Sequence, residues 1–190
     1  MTTTTIGATT VAKASWLRIT MVGLALGILG VLMMGLAMLF GQETDEGPFQ
    51  HTADYILTAS ALPQGVGLLL LTLGFHRLEG GLDGRLGRIG VWVYALCMIE
   101  LVVQCMASVV VGEELIWGPL YPVCALGLMI GLVLLAAGSW NVGLLPKWML
   151  AVWPPLGLIG SFGGLGPVPL VFVAFLGVLA CVLPGRLNAR

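Results

Sequence analysis

One carboxylate stands apart from every other charge in the chain. Glu100 lies 11 residues after Ile89 and 11 before Val111, at the middle of a long apolar run over 89–111. A charged side chain at the centre of a bilayer costs about 2.5–3.5 kcal/mol on insertion scales, so an acid there is expected to face a bundle interior and to carry function. Kept neutral by that burial, a carboxyl is a proton donor. Gly90, Tyr94, Cys97, Glu100, Gln104 and Ser108 recur at spacings of three and four, which puts them on one helical face about 120° wide. Val91, Leu101, Val102 and Val109 lie opposite and are expected to meet lipid or apolar neighbours. On the preceding apolar run, Gln64 follows Asp54 by ten residues. It reaches a similar depth and is the expected partner of Glu100. Three roles fit Glu100, Gln104 and Gln64: a buried hydrogen bond between two helices, acid catalysis, or translocation of a proton or substrate.

A second group of polar residues stands outside the apolar runs. His51 and Asp54 are spaced i, i+3 where the second run begins, and Glu113 and Glu114 occupy a later loop near Trp117 and Tyr121. His51 with Asp54 fits an acid–base pair or a cation site. It fits equally a solvated helix start, in which Asp54 favours the positive end of the helix dipole. Phe49, Tyr55, Trp117 and Tyr121 read as an interfacial aromatic belt.

Several chemistries have no residues to run them. Cys97, Cys105, Cys124 and Cys181 form no C-x-x-C pair, as a thiol oxidoreductase would need, and read as small buried hydrophobes. His51 and His76 stand at opposite ends of one run, about 37 Å apart along a helix, too far to share a metal or haem. There is no H-E-x-x-H, P-loop or G-x-S-x-G motif, and no lysine at mid-run for a Schiff base. No metal site and no cofactor is called for.

The elements that position these residues follow from composition. Of 190 residues 58% are hydrophobic and only 9% charged, with a mean hydropathy of +1.04; soluble domains carry about 25% charged residues. A soluble domain and a disordered chain are both excluded. Eight basic residues and a net charge of −1 leave no footprint for nucleic acid. The expected class is an all-α polytopic membrane bundle. Six apolar runs are read at about 19–40, 55–75, 89–111, 120–137, 148–162 and 168–183. The first exceeds the roughly 7–15 apolar residues of a signal peptide and is read as a retained helix. Residues 1–15 are expected to be a mobile cytoplasmic tail and 16–190 a single bundle. The runs are continuous, without the alternation of a membrane barrel strand.

Charge sets the expected orientation. With six crossings, Lys13, Arg18, Arg77, Arg85, Arg88, Lys147, Arg186 and Arg190 all fall on one side, and Glu43, Asp45, Glu46, Asp54, Glu113 and Glu114 on the other. The positive-inside rule then places both termini in the cytoplasm of a bacterial cell with an inner membrane. A re-entrant hairpin made by the last two runs, joined through Gly163-Gly164-Leu165-Gly166-Pro167, leaves the same charges inside and stays open.

Small residues and prolines predict how the helices pack. Gly23-x-x-x-Gly27, continued by Val31 and Gly35, and Gly127-x-x-x-Gly131 allow close helix approach, within the chain or in a homodimer. Trp153-Pro154-Pro155 predicts a kink or break in the fifth run, and Pro63 a kink in the second.

Leu145-Pro146-Lys147-Trp148 before the fifth run, the glycine-rich fourth run and the Pro184-Gly185-Arg186 ending carry a resemblance over the whole chain to uncharacterised small six-helix membrane proteins of actinobacteria. Glu100 among aromatic residues resembles, more weakly, the small membrane-bound terpene cyclases. That second resemblance implies that Glu100 protonates an epoxide or alkene of an isoprenoid-like substrate. It also implies that Trp92, Tyr94, Trp117, Tyr121, Trp153 and Phe162 line the pocket and hold the carbocation by cation–π attraction. The sequence differs from those enzymes in having six runs where seven are expected, and no acid in the last two. Beside the acid catalyst stand two other expectations: a non-catalytic subunit of a membrane complex, and a proton-coupled carrier. The expected partners are the lipid bilayer, a small apolar substrate, and a second copy or another membrane subunit.

Overall fold

The computed structural model describes residues 3–42, 47–115, 119–162 and 167–188. It is all-helical, with no strand among the described residues. The helices are α1 (Thr3–Phe40), α2 (Thr52–Ala59), α3 (Ala61–Leu78), α4 (Gly84–Val111), α5 (Leu120–Ser139), α6 (Lys147–Phe162) and α7 (Val168–Asn188). The Thr-rich start, expected to lie outside regular structure, belongs to α1. Five stretches are long and apolar enough to cross a membrane: Lys13–Phe40, Thr52–Leu78, Gly84–Val111, Leu120–Ser139 and Val168–Leu187. The fifth expected run, α6, covers 16 described residues, about 24 Å against a hydrocarbon core of about 30 Å.

The prolines of α3 and α6 act differently. The Thr52–Leu78 stretch divides at Ser60 into α2 and α3, three residues before Pro63. Pro63 has no N–H for the Ala59 carbonyl, and its ring crowds that turn. The break is slight: Ser60 keeps a helical conformation, and its carbonyl accepts from the Gln64 N–H at 3.1 Å. α6, where a kink or break was expected at Pro154 and Pro155, is one helix through both.

Two glycine-lined antiparallel pairs organise the bundle. α1 packs chiefly on α3, and α4 on α5. On the first seam, a Cβ added to Gly23 would stand 2.6 Å from the Leu71 nitrogen, and one on Gly27 would press on Leu68. On the second, a Cβ on Gly90 would stand 2.5 Å from the Gly131 carbonyl oxygen, and one on Gly138 2.6 Å from the Asp83 carbonyl oxygen. Both G-x-x-x-G motifs are therefore filled by neighbours within the chain. Lipid offers helices no hydrophobic drive to associate, so the backbone proximity that glycine permits is what joins them. α7 lies on α1 and α6 on α5. Between them the core closes over Phe75, Met98, Leu135, Trp153, Phe172 and Leu176, with Phe75 and Trp153 edge to face at 5.6 Å.

At one end of the bundle, Arg77 covers the Trp16 ring and Lys147 the Trp140 ring, each at 5.6 Å. The turn between α3 and α4 at this end needs glycine: Gly80, Gly81 and Gly84 all have positive φ. At the other end, Pro48 and Glu113 form a single β-bridge, with the Phe49 N–H donating to the Gly112 carbonyl at 2.7 Å.

Candidate polar site in the bundle

α4 is rotated relative to the expectation from its polar stripe. Val91, Met98 and Leu101 are buried in the core, whereas Trp92, Leu96, Ile99 and Val103 are more than half exposed. Tyr94 is buried where α4 meets Gly131 of α5. Glu100 and Gln104 stand between the two faces and are half-buried. The Gln104 Nε2 donates to the Glu100 Oε1 at 3.1 Å, one turn along the same helix. Cys97, on the same flank, faces Gly127 of α5, where an added Cβ would press on the Cys97 Sγ. Glu100 thus sits at the outer edge of the α4–α5 seam and not in the middle of the bundle.

The expected link between Glu100 and Gln64 is not made. Val102 of α4 packs against Gly65 of α3. Glu100 is two residues from Val102, hence about 160° around the helix, and points away from α3. Gln64 is fully buried, and its Nε2 donates to the Ser161 carbonyl of α6 at 3.1 Å. The Gln64 Oε1 and the Ser161 Oγ are both buried and have no hydrogen-bond partner. Gly30 of α1 closes on the Gln64 backbone from the other side.

The aromatic residues expected to line a pocket are dispersed. Trp92 points outward, Tyr94 faces α5, and Tyr121 is half-buried near the start of α5. Trp153 is six residues into α6 and Glu100 sixteen into α4, so their depths from those helix starts are about 9 and 24 Å. Trp117 and the Phe162 side chain lie outside the described residues.

His51 and Asp54 stand where α2 begins, His51 as its N-cap. The Asp54 Oδ2 accepts the backbone N–H groups of Gln50 at 3.1 Å and His51 at 2.9 Å. That carboxylate ties down the helix entry, as the acidic member of a capping box does. Tyr55 meets Phe49 edge to face at 5.1 Å.

A polar cluster that the sequence did not single out lies at the opposite end of the same span. Glu79 and Asp83 are buried, although both belong to the α3–α4 turn. Asp83 is the N-cap of α4 but makes no side-chain cap bond; its Oδ2 pairs with the Nδ1 of His76. The Ser139 Oγ at the end of α5 donates to the Glu79 Oε2 at 2.6 Å. These bonds pin the turn to both helices beside it. The sequence signal was thin: an orientation count weighs Lys and Arg alone, and Glu79 and Asp83 stand among glycines outside the apolar runs.

All four cysteines are free thiols. Among the described residues no three His, Cys, Asp or Glu side chains come together in a group able to hold a metal ion. No protein-family model, no curated protein and no solved structure matches the chain.

Proposed function

We propose that this chain is a six-span protein of the bacterial inner membrane, with both termini cytoplasmic, that serves as a non-catalytic subunit of a membrane complex. The α4 flank bearing Glu100 and Gln104 would be its docking surface. The one-sided distribution of all eight basic residues supports the six-span orientation, with α6 as the shortest crossing. The observation that carries the docking reading is the half-exposed position of Glu100 at the middle of a span. Its hydrogen bond goes to an uncharged amide on its own helix. A carboxyl presented towards lipid is costly, and membrane acids are found paired or turned to a protein interior. The occupant that fits is a helix of a second polypeptide bringing a donor, such as an arginine, a lysine or an amide, to the Glu100 carboxylate. Trp92, Leu96, Ile99 and Val103 would pack beside it.

Acid catalysis on an isoprenoid-like substrate is the other reading of Glu100. The acid is present, but the aromatic residues do not gather around it, so this reading rests on one carboxyl.

The test is a photo-crosslinking side chain placed at Val103, beside Glu100, and at Val22, an exposed position on α1. The docking reading expects one adduct from Val103 in native membranes, none from Val22, and loss of the Val103 adduct in Glu100→Leu. Equal labelling at both positions, or an adduct indifferent to Glu100→Leu, would overturn it. An adduct of twice the chain's mass would replace the foreign subunit with a second copy.

A further inference from the structure

Two arginines at the start of α4 have no anion within the chain. Arg85 and Arg88 are both exposed, one turn apart and about 60° from each other around the helix. The carboxylates nearest them in sequence are engaged elsewhere. Asp83 is buried and paired with His76, and Glu79 is buried and accepts from Ser139. Arg77 and Lys147, at the same end of the bundle, lie over the Trp16 and Trp140 rings. Among the described residues, neither the Arg85 nor the Arg88 side chain makes an ion pair or a hydrogen bond.

The length of α4 sets their depth. Its 28 residues extend about 42 Å, about 12 Å more than a hydrocarbon core. Val109, Val110 and Val111 close the far end, so the excess falls on roughly the first eight residues. Arg85 and Arg88 therefore stand in the headgroup layer, with Trp92 at its inner boundary, the level that indoles favour. Leu86, Ile89 and Trp92 are more than half exposed and lie within about 100° of Arg85 around the helix. An acidic soluble partner would answer the two charges and leave this apolar rim in water. A phospholipid answers both: its phosphate matches the planar fork of arginine, and its glycerol and acyl chains cover the rim. A choline headgroup carries its own cation beside the phosphate and competes with the guanidinium groups; a glycerol headgroup does not. Basic residues at a membrane surface favour anionic lipid for this reason. We propose that Arg85 and Arg88, with Trp92 beneath them, form a site for an anionic phospholipid, a phosphatidylglycerol-type headgroup in preference to a zwitterionic one. Arg88 is about 18 Å along α4 from Glu100, and the site does not rest on the docking reading of that flank.

The experiment is thermal unfolding of the full chain in a neutral detergent, titrated with phosphatidylglycerol or with phosphatidylcholine of the same acyl chains. Phosphatidylglycerol should raise the melting temperature saturably and at lower concentration than phosphatidylcholine. The Arg85→Gln/Arg88→Gln chain loses no bond of its own fold and should shift the phosphatidylglycerol midpoint upward by about tenfold. Lys13→Gln/Arg18→Gln removes the same charge from exposed positions on α1 and should leave that midpoint in place, as should Glu100→Leu. Equal midpoints for the two lipids would overturn the proposal. So would an equal shift in the α1 variant, which would mean attraction to net charge and no site, or equal protection by inorganic phosphate, which would mean that no lipid is needed. A photoreactive phosphatidylglycerol added to the unaltered chain locates the site without any variant. It should label residues 82–92, and even labelling of the ends of α1, α4 and α7 would also overturn the proposal.

Discussion

Gly90 and Gly131 bring α4 and α5 to backbone contact: a Cβ on Gly131 would lie 2.8 Å from the Gly90 carbonyl oxygen and 2.7 Å from the Tyr94 nitrogen. Backbone cannot yield as a side-chain tip does. Gly131→Ala should therefore destabilise the bundle by about 1–3 kcal/mol, the usual range for overpacking. Gly177 of α7 has nothing within 4 Å of its added Cβ. There Gly177→Ala should be neutral or stabilising by up to about 1 kcal/mol, from helix propensity alone. Melting temperatures of the two variants in the same detergent check both signs.

The spans were legible because long apolar runs betray themselves. The faces of those spans were not. In a soluble helix apolar residues mark the inside, but lipid is as apolar as leucine, so hydropathy does not separate inward from outward. α4 shows the consequence. Val91 and Leu101, suited by sequence to lipid or to apolar neighbours alike, are core; Glu100, expected to face the bundle interior, lies on the flank. What sets the rotation is Gly90 against Gly131 and Val102 against Gly65, contacts that need the partner helix to be known. The depth of Gln64 was readable by counting, but its partner Ser161 stands 97 residues away. Asp54 was readable as a helix start because capping is local.

Asp54 should matter to stability through that local role. Asp54→Ala removes the acceptor for two backbone N–H groups and should cost about 0.5–2 kcal/mol. Asp54→Asn, which keeps an oxygen acceptor, should cost less. Chemical denaturation monitored by tryptophan fluorescence distinguishes the two. An equal loss in both would show that charge, and not the acceptor, holds the start of α2.

The buried turn between α3 and α4 makes a separate prediction. Ser139→Ala withdraws the hydroxyl that donates to the Glu79 Oε2. A buried acceptor deprived of a donor costs about 1–3 kcal/mol, more when charged. The variant should melt at a lower temperature, and amide exchange should quicken first at residues 79–84, before the core of α3. Uniform acceleration along α3 and α4 would mean that the bond supports the whole hairpin and not the turn.

The six-span orientation predicts reporter signs. Fusions at Gly47 and Glu113 should score outside, and fusions at Gly81, Asn141 and the C-terminus inside, as positive-inside distribution requires. An outside C-terminus would show that α6, with its 16 residues, does not cross.

The isolated chain should tolerate the loss of Glu100. Its hydrogen bond to Gln104 lies within one helix and is worth about 0.5–1.5 kcal/mol net. Removing a carboxyl from mid-span relieves a larger cost, about 2.5–3.5 kcal/mol on insertion scales. Glu100→Leu in purified, monomeric protein should therefore melt at the same temperature or higher, and Glu100→Gln should change little. If Glu100 instead tied two helices together, Glu100→Leu would strand the buried partner and lower the melting temperature sharply, as broken buried pairs do. A stable Glu100→Leu chain that has lost its Val103 adduct in membranes would separate the two roles of this flank. The carboxyl would then contribute nothing to the fold of its own bundle and everything to the contact made outside it.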